Sequence, residues 1–272
     1  MAAPMICHVH ELEIAIRQFC GLNTFRQAIP HIRHFIAVAE AVKKNLVQAH
    51  CINEGQVTVV YECVPVHDYQ TDFFEEATRQ IRQQLSVDEA SFVVCASGTT
   101  DWRKGVDLFA QIANRCQQMT NASLRFIWVG GASSGLEYDK LVYDVERLGL
   151  TGIVHFVGVV ENPVAYFALA DVFILPSRED PFPLVCLEAA SLGKPILCFD
   201  QAGGMPEFVQ GCGGVMVPYL NIDAFATEIV HLQTDANALH QLGKKTAEQA
   251  RGFDVSRVGS QVDALIHSLV IA

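Results

Sequence analysis

A chain of 272 residues, 50% hydrophobic and 18% charged, can bury one sizeable core but is short for two full domains. Its 19 basic and 30 acidic residues leave a net charge of -11, with no Lys/Arg run able to track a phosphate backbone, so nucleic acid is not expected as a partner. No apolar stretch reaches the roughly 18 residues of a membrane-spanning helix, and the start MAAPMICHVHELE has no basic leader before an apolar core; a cytoplasmic location is expected. The 9 cysteines are odd in number and never form a C-x-x-C pair, so they read as small buried hydrophobes rather than disulfides or zinc ligands.

In chain order, residues 1–66 hold only three strand candidates, at 5–9, 35–38 and 57–61, which is a partial α/β segment rather than a free domain. Residues 67–85 are polar and charge-rich and read as a linker with a short helix. From 86 to 272 short apolar runs alternate with helical periodicity. Strands are predicted at 92–96, 124–129, 153–157, 172–175, 195–199 and 214–217. Near-continuous apolar strands of this kind are buried on both faces, so the fold class is α/β, a doubly wound parallel sheet of Rossmann-like form.

Ligands of such sheets bind beyond the carboxyl ends of the strands, which directs attention to four loops. GTTDWRKG places Gly98, Arg103 and Lys104 before a helix beginning near Gly105 or Val106. Two cations beside a helix amino end suit a diphosphate, although a solvated loop with ordinary surface charges would read the same way. WVGGASSG offers Gly130, Gly131 and Gly135, where a ligand could approach the backbone; a simple turn is the alternative. The spacing is neither a dinucleotide fingerprint nor a P-loop, which argues against a dehydrogenase and an NTPase.

PSREDPFPLVCLEAASLGKP is the most specific stretch. Pro181 and Pro183 start a helix that runs to about Leu192, with Asp180 before it and Glu188 inside it among apolar neighbours. A carboxylate there needs a partner, and sugar hydroxyls are suitable; the alternative is that Asp180 caps the helix and Glu188 faces solvent. DQAGGMPEFV adds Gly203 and Gly204, a backbone concavity suited to an anionic or polyhydroxylated ligand, with Glu207 at a further helix start.

In this order and spacing the loops resemble the C-terminal domain of glycosyltransferase family 4, retaining enzymes of the GT-B fold. Gly98, Arg103 and Lys104-Gly105 look like the family's basic glycine turn, with Thr99 standing where the family has an arginine. Phe156-Val157-Gly158 and the run from Ala170 to Ser177 are similar to its approach to a signature of two acids separated by seven residues, here Asp180 and Glu188. The start HVHELE is similar to the family's histidine over the donor sugar, here His10.

The resemblance implies a nucleoside-diphosphate sugar as donor, transfer to an unknown hydroxyl acceptor, no metal and no further cofactor. It assigns Asp180 to the donor sugar and Glu188 to the ribose, with His10 as a catalytic residue and Glu179 able to share the work of Asp180. Gly98, Arg103, Lys104, Gly130, Gly131, Gly158, Phe182, Pro183, Leu184, Gly203 and Gly204 are implied to line the donor site. Residues 1–66 are then a remnant of the acceptor-binding domain, 67–85 a linker and 86–272 the donor-binding domain. Two other readings remain open: a donor-binding fragment needing a partner chain that supplies the rest of the N-terminal domain, and a GT-B UDP-sugar epimerase.

Overall fold

The computed structural model describes residues 5–271. Strands β1 (Met5–Val9), β2 (Ile32–Ala37) and β3 (Val57–Val59) pair in parallel in the order β1-β2-β3. A second parallel sheet contains β4 (Phe92–Ser97), β5 (Leu124–Val129), β6 (Val154–Gly158), β7 (Val172–Leu175), β8 (Ile196–Phe199) and β9 (Gly214–Val217), in the order β6-β5-β4-β7-β8-β9. This is the predicted doubly wound α/β sheet.

Its strands carry apolar residues on both faces because both faces are covered. Val93 and Cys95 of β4 enter one core while Val94 and Ala96 enter the other, the period of two required by a pleated strand. Helices Pro163–Leu169 and Leu184–Ser191 pack on the first face, and Val106–Met119 and Ile222–Thr234 on the second. On the second face Phe109 meets Phe126 and Trp128 edge to face, at centroid distances of 5.6 and 5.3 Å.

The chain leaves β4 in one lateral direction and returns through β7 on its other side, so the strand order reverses between them. The loops following β4 and β7 therefore lie next to each other at the carboxyl edge, the place where such sheets bind ligands. GTTDWRKG and PSREDPFP are those two loops.

Two expectations about domain limits change. Helix Glu75–Leu85, read from the sequence as linker, buries Ile81 and packs on helix Pro163–Leu169, so it is part of the six-stranded unit. Conversely, not all of 86–272 belongs to that unit. Helix Val255–Ile271 returns to the three-stranded sheet, where Val258 packs against Ile36 and Val60, and Val64 forms a bridge with Asp254. An apolar stripe shows that a helix is covered but not by which sheet. Strand β2 also starts at Ile32, upstream of the predicted 35, because Ile32 is buried while Arg33 points out, extending the alternation.

Candidate functional site

The loop after β4 is shaped by Asp101, whose carboxylate accepts the amides of Arg103 at 2.9 Å and Lys104 at 3.2 Å. This caps a short 3-10 turn, Trp102–Lys104, ahead of helix Val106–Met119 and turns Lys104 towards the loop after β7. Lys104 Nζ donates to Asp180 Oδ2 at 2.7 Å, and Ser177 Oγ donates to the same oxygen at 3.1 Å. Asp180 is only 3% exposed, a position tolerable for a carboxylate because those partners are there.

The backbone of Asp180 is clamped as well. Its N–H donates to the Ala202 carbonyl at 2.7 Å, and the Gly204 N–H donates to the carbonyls of Asp180 and Pro181 at 3.2 and 2.8 Å. Asp180 therefore does not cap helix Leu184–Ser191; Pro183 stands at that position without a side-chain cap.

His10 extends from the end of β1 towards the same place. Its Nδ1 bonds Glu62 Oε1 at 2.5 Å, and its ring leans on His8 at a centroid distance of 4.1 Å. The bond to Glu62 holds the His10 pKa above the usual imidazole range, despite partial burial. His10, Glu62, Arg103, Lys104, Asp180 and Phe182 line one cavity of about 150 Å³ between the two sheets. An imidazole, two cations and a buried carboxylate, read separately from distant parts of the sequence, thus converge.

Arg103 lines the cavity but is also a strap. Its Nη1 donates to the Glu179 carbonyl at 3.0 Å, while its own carbonyl accepts the Arg178 amide at 2.8 Å. Phe182 is buried, stacked on Phe253 at 5.4 Å and tilted against Tyr61 at 5.2 Å, so its ring anchors the loop. Leu184 at the start of the helix is exposed.

The other predicted residues lie elsewhere. Glu188 does not line the cavity of Lys104; it is partly buried and accepts the Tyr69 hydroxyl at 3.3 Å. Burial raises its pKa, a shift the Tyr69 bond opposes, while the Tyr69 phenol is pushed up to about 12 by its own burial and by the neighbouring carboxylate. Glu188 is thus neither a solvent-facing acid nor, in this state, a neighbour of the Lys104–Asp180 pair. Glu179 does not line the cavity of Asp180: its carboxylate accepts the amides of Ile14, at 3.1 and 3.2 Å, and Ala15, at 3.3 Å.

The glycines of the loop after β5 allow neighbouring loops to pack closely. A Cβ on Gly130 would lie 2.8 Å from the Gly98 carbonyl oxygen, and one on Gly131 would lie 2.4 Å from Thr100 Cγ2. The close approach they permit is between the β4 and β5 loops, with Gly158 joined through a 2.7 Å bond from the Gly130 N–H. Gly98 borders the Lys104 stem, and Gly203 and Gly204 brace Asp180.

Several contributors escaped the sequence reading. Arg178 forms a two-pronged pair with Asp107 at 2.8 and 2.7 Å and lies over the Trp102 ring at 4.8 Å, fixing the start of helix Val106–Met119 to the Asp180 loop. Ser177, Glu62 and Tyr69 were likewise unassigned, since each acts on a partner with no local sequence signature.

A larger cavity of about 800 Å³ lies beyond Glu179 and Glu207, between helix Glu40–His50 and the loops after β7, β8 and β9. The buried carboxylate, the ammonium and the imidazole meet in the smaller one. Among the described residues, no group of three or more His, Cys, Asp and Glu is placed to hold a metal ion, and no helix is long and apolar enough to cross a membrane.

The family model for glycosyl transferases group 1 matches residues 77–249. The chain belongs to that family. It is 32% identical over 176 residues to alpha-galactosylglucosyldiacylglycerol synthase of Streptococcus pneumoniae, covering 62% of this chain and 44% of that protein. It is 27% identical over 234 residues to D-inositol 3-phosphate glycosyltransferase of Corynebacterium kroppenstedtii, covering 84% of this chain and 51% of the relative. The chain thus spans about half the length of the curated relatives it matches. Anabaena HepE, solved in complex with UDP, shares the fold with a TM-score of 0.85 at 24% identity, over 97% of this chain and 72% of that one. Sucrose-phosphate synthase from Thermosynechococcus elongatus gives 0.80 at 21% identity, over 97% and 67%.

Proposed function

We propose that this group 1 family member binds a nucleoside-diphosphate sugar, with UDP as the leading candidate nucleotide, and takes part in retaining transfer of the sugar to a hydroxyl acceptor, in the manner of glycosyltransferase family 4. The observation that carries the reading is the Lys104–Asp180 pair at the reversal of strand order, faced by His10 across a small cavity. That HepE binds UDP and UDP-glucose in the same fold supports the choice of nucleotide. The epimerase reading has no comparable support.

In this reading Lys104 faces the diphosphate, whose negative charge grows as the glycosidic bond breaks. A preorganised cation stabilises that charge without reorganisation, an effect of about 3–4 kcal/mol per well-placed donor in other enzymes. Lys104 then exchanges part of its bond to Asp180 for phosphate oxygens, and the Asp180 carboxylate is left to accept sugar hydroxyls. His10 lies on the opposite wall, over the sugar, with its orientation set by Glu62. The cavity is smaller than the roughly 300–1,000 Å³ of a typical small-molecule site, so it suits the sugar ring, with the nucleoside extending along the β4 and β5 loops. No metal enters this scheme.

Calorimetric titration with UDP, GDP and their glucose conjugates tests the donor assignment. Micromolar binding of UDP and UDP-glucose, at least tenfold tighter than of the guanine analogues, is the expected result (about 1.4 kcal/mol per decade). Heat-silent titrations with all four, supported by unchanged melting temperatures, would remove the donor assignment.

A further inference from the structure

Helix Glu40–His50 begins after Ala39, and the short helix Glu13–Ala15 after Leu12; neither residue can accept a hydrogen bond through its side chain, and neither helix has a side-chain cap of its own. Free amides at a helix start need partners, and Ala and Leu are among the poorest residues for supplying one. Here the partners come from the other unit. Glu207 Oε2 accepts the Glu40 amide at 3.0 Å and Oε1 the Ala41 amide at 2.8 Å, while the Tyr61 hydroxyl donates to Oε2 at 2.9 Å. Glu179 does the same for Ile14 and Ala15.

The two carboxylates stand on either flank of the Asp180 clamp. Glu179 immediately precedes Asp180, and Glu207 follows Gly204, whose N–H bonds the Asp180 and Pro181 carbonyls. Both loops that hold Asp180 are therefore bolted to helix starts of the unit that carries His10.

We propose that Glu179 and Glu207 are positioning residues: acting as helix caps across the cleft, they fix the Asp180 loop against the His10 unit so that the two walls of the cavity stay in register. Their importance for sugar transfer rests on the donor assignment above; their action as cross-cleft caps does not. Each cap is present only while the units are docked, so docking and helix-end protection rise and fall together.

The test is amide hydrogen exchange on the full chain and its Glu207→Ala and Glu207→Gln variants, together with UDP affinity and UDP-glucose turnover. In Glu207→Ala, exchange at residues 40–41 is expected to quicken about tenfold, with a smaller rise at 14–15, while β4 and β5 keep their protection. Glu207→Gln, which retains one acceptor oxygen, is expected to fall between wild type and Ala. UDP affinity stays within about threefold of wild type while turnover falls at least tenfold, the split expected when register and not nucleotide binding is lost. Unchanged exchange at 40–41 overturns the proposal. So does a uniform rise that includes β4, since Glu207 would then support the fold generally. If wild type binds no nucleotide, the donor assignment fails and the exchange pattern still decides the capping.

Discussion

Replacing Lys104 with Ala is expected to weaken UDP binding by about 10- to 100-fold and, separately, to lower the stability of the protein by about 3 kcal/mol. The first figure follows from loss of a charge-assisted hydrogen bond to phosphate, worth about 1.5–3 kcal/mol. The second follows from Asp180. Its side chain is 3% exposed and Lys104 supplies its cationic partner, so truncation leaves a buried carboxylate with Ser177 Oγ at 3.1 Å. Breaking a buried pair from one side costs about 3–5 kcal/mol, and the retained Ser177 bond argues for the lower end. Melting temperature should fall by roughly 6–12 °C for a protein of this size.

The two effects can be separated. In the double variant Lys104→Met with Asp180→Asn, the buried charge is gone from both sides and much of the stability is expected to return, while UDP binding stays weak. Melting curves and calorimetry on the wild type, Lys104→Ala and the double variant check this. Recovery of binding along with stability would show that Lys104 acts only as a structural partner of Asp180.

Gly203→Ala is expected to be the most damaging small substitution at the site, lowering stability by about 2–6 kcal/mol. Gly203 has φ +134, a region closed to residues with a side chain, and an added Cβ would lie 1.8 Å from the Asp180 carbonyl oxygen. Backbone strain of about 1–3 kcal/mol and a forced displacement of similar cost therefore act together. The displaced atom belongs to Asp180, whose N–H is tied to Ala202, so the carboxylate moves with it. Gly135→Ala provides the contrast: a Cβ there meets nothing within 4 Å, so strain alone remains. Urea denaturation of both variants measures the difference; equal losses would mean that Gly203 is not bracing the Asp180 loop.

The sheet was readable because each of its strands is a compact apolar run bounded by polar residues, a signal that survives without tertiary information. Lys104 and Asp180 were readable for a related reason. One follows a glycine turn at a strand exit and the other precedes two prolines at a helix start, both local signals. Which of the neighbouring acids Glu179 and Asp180 enters the cavity was not local. It depends on the bridge between Asp180 and Gly203 and on the free amides at Ile14 and Ala15, 165 and 164 residues away in sequence from Glu179.

The same reason hid Glu207, Arg178 and Tyr69. Glu207 follows its two glycines like an ordinary acid at a helix start, yet its partners are the amides of Glu40 and Ala41. The missing caps at Leu12 and Ala39 were the available clue, an absence that only gains meaning once the second unit is in place. Helix Val255–Ile271 was misplaced on the same principle, because an apolar stripe names no partner.

A crystal structure of the chain soaked with UDP-glucose puts the assignment to its most direct test. The pyrophosphate should lie within hydrogen-bonding distance of Lys104 Nζ, with the glucose ring between His10 and Asp180. Density for the nucleotide in the larger cleft beside helix Glu40–His50, with the Lys104–Asp180 pair undisturbed, would contradict it.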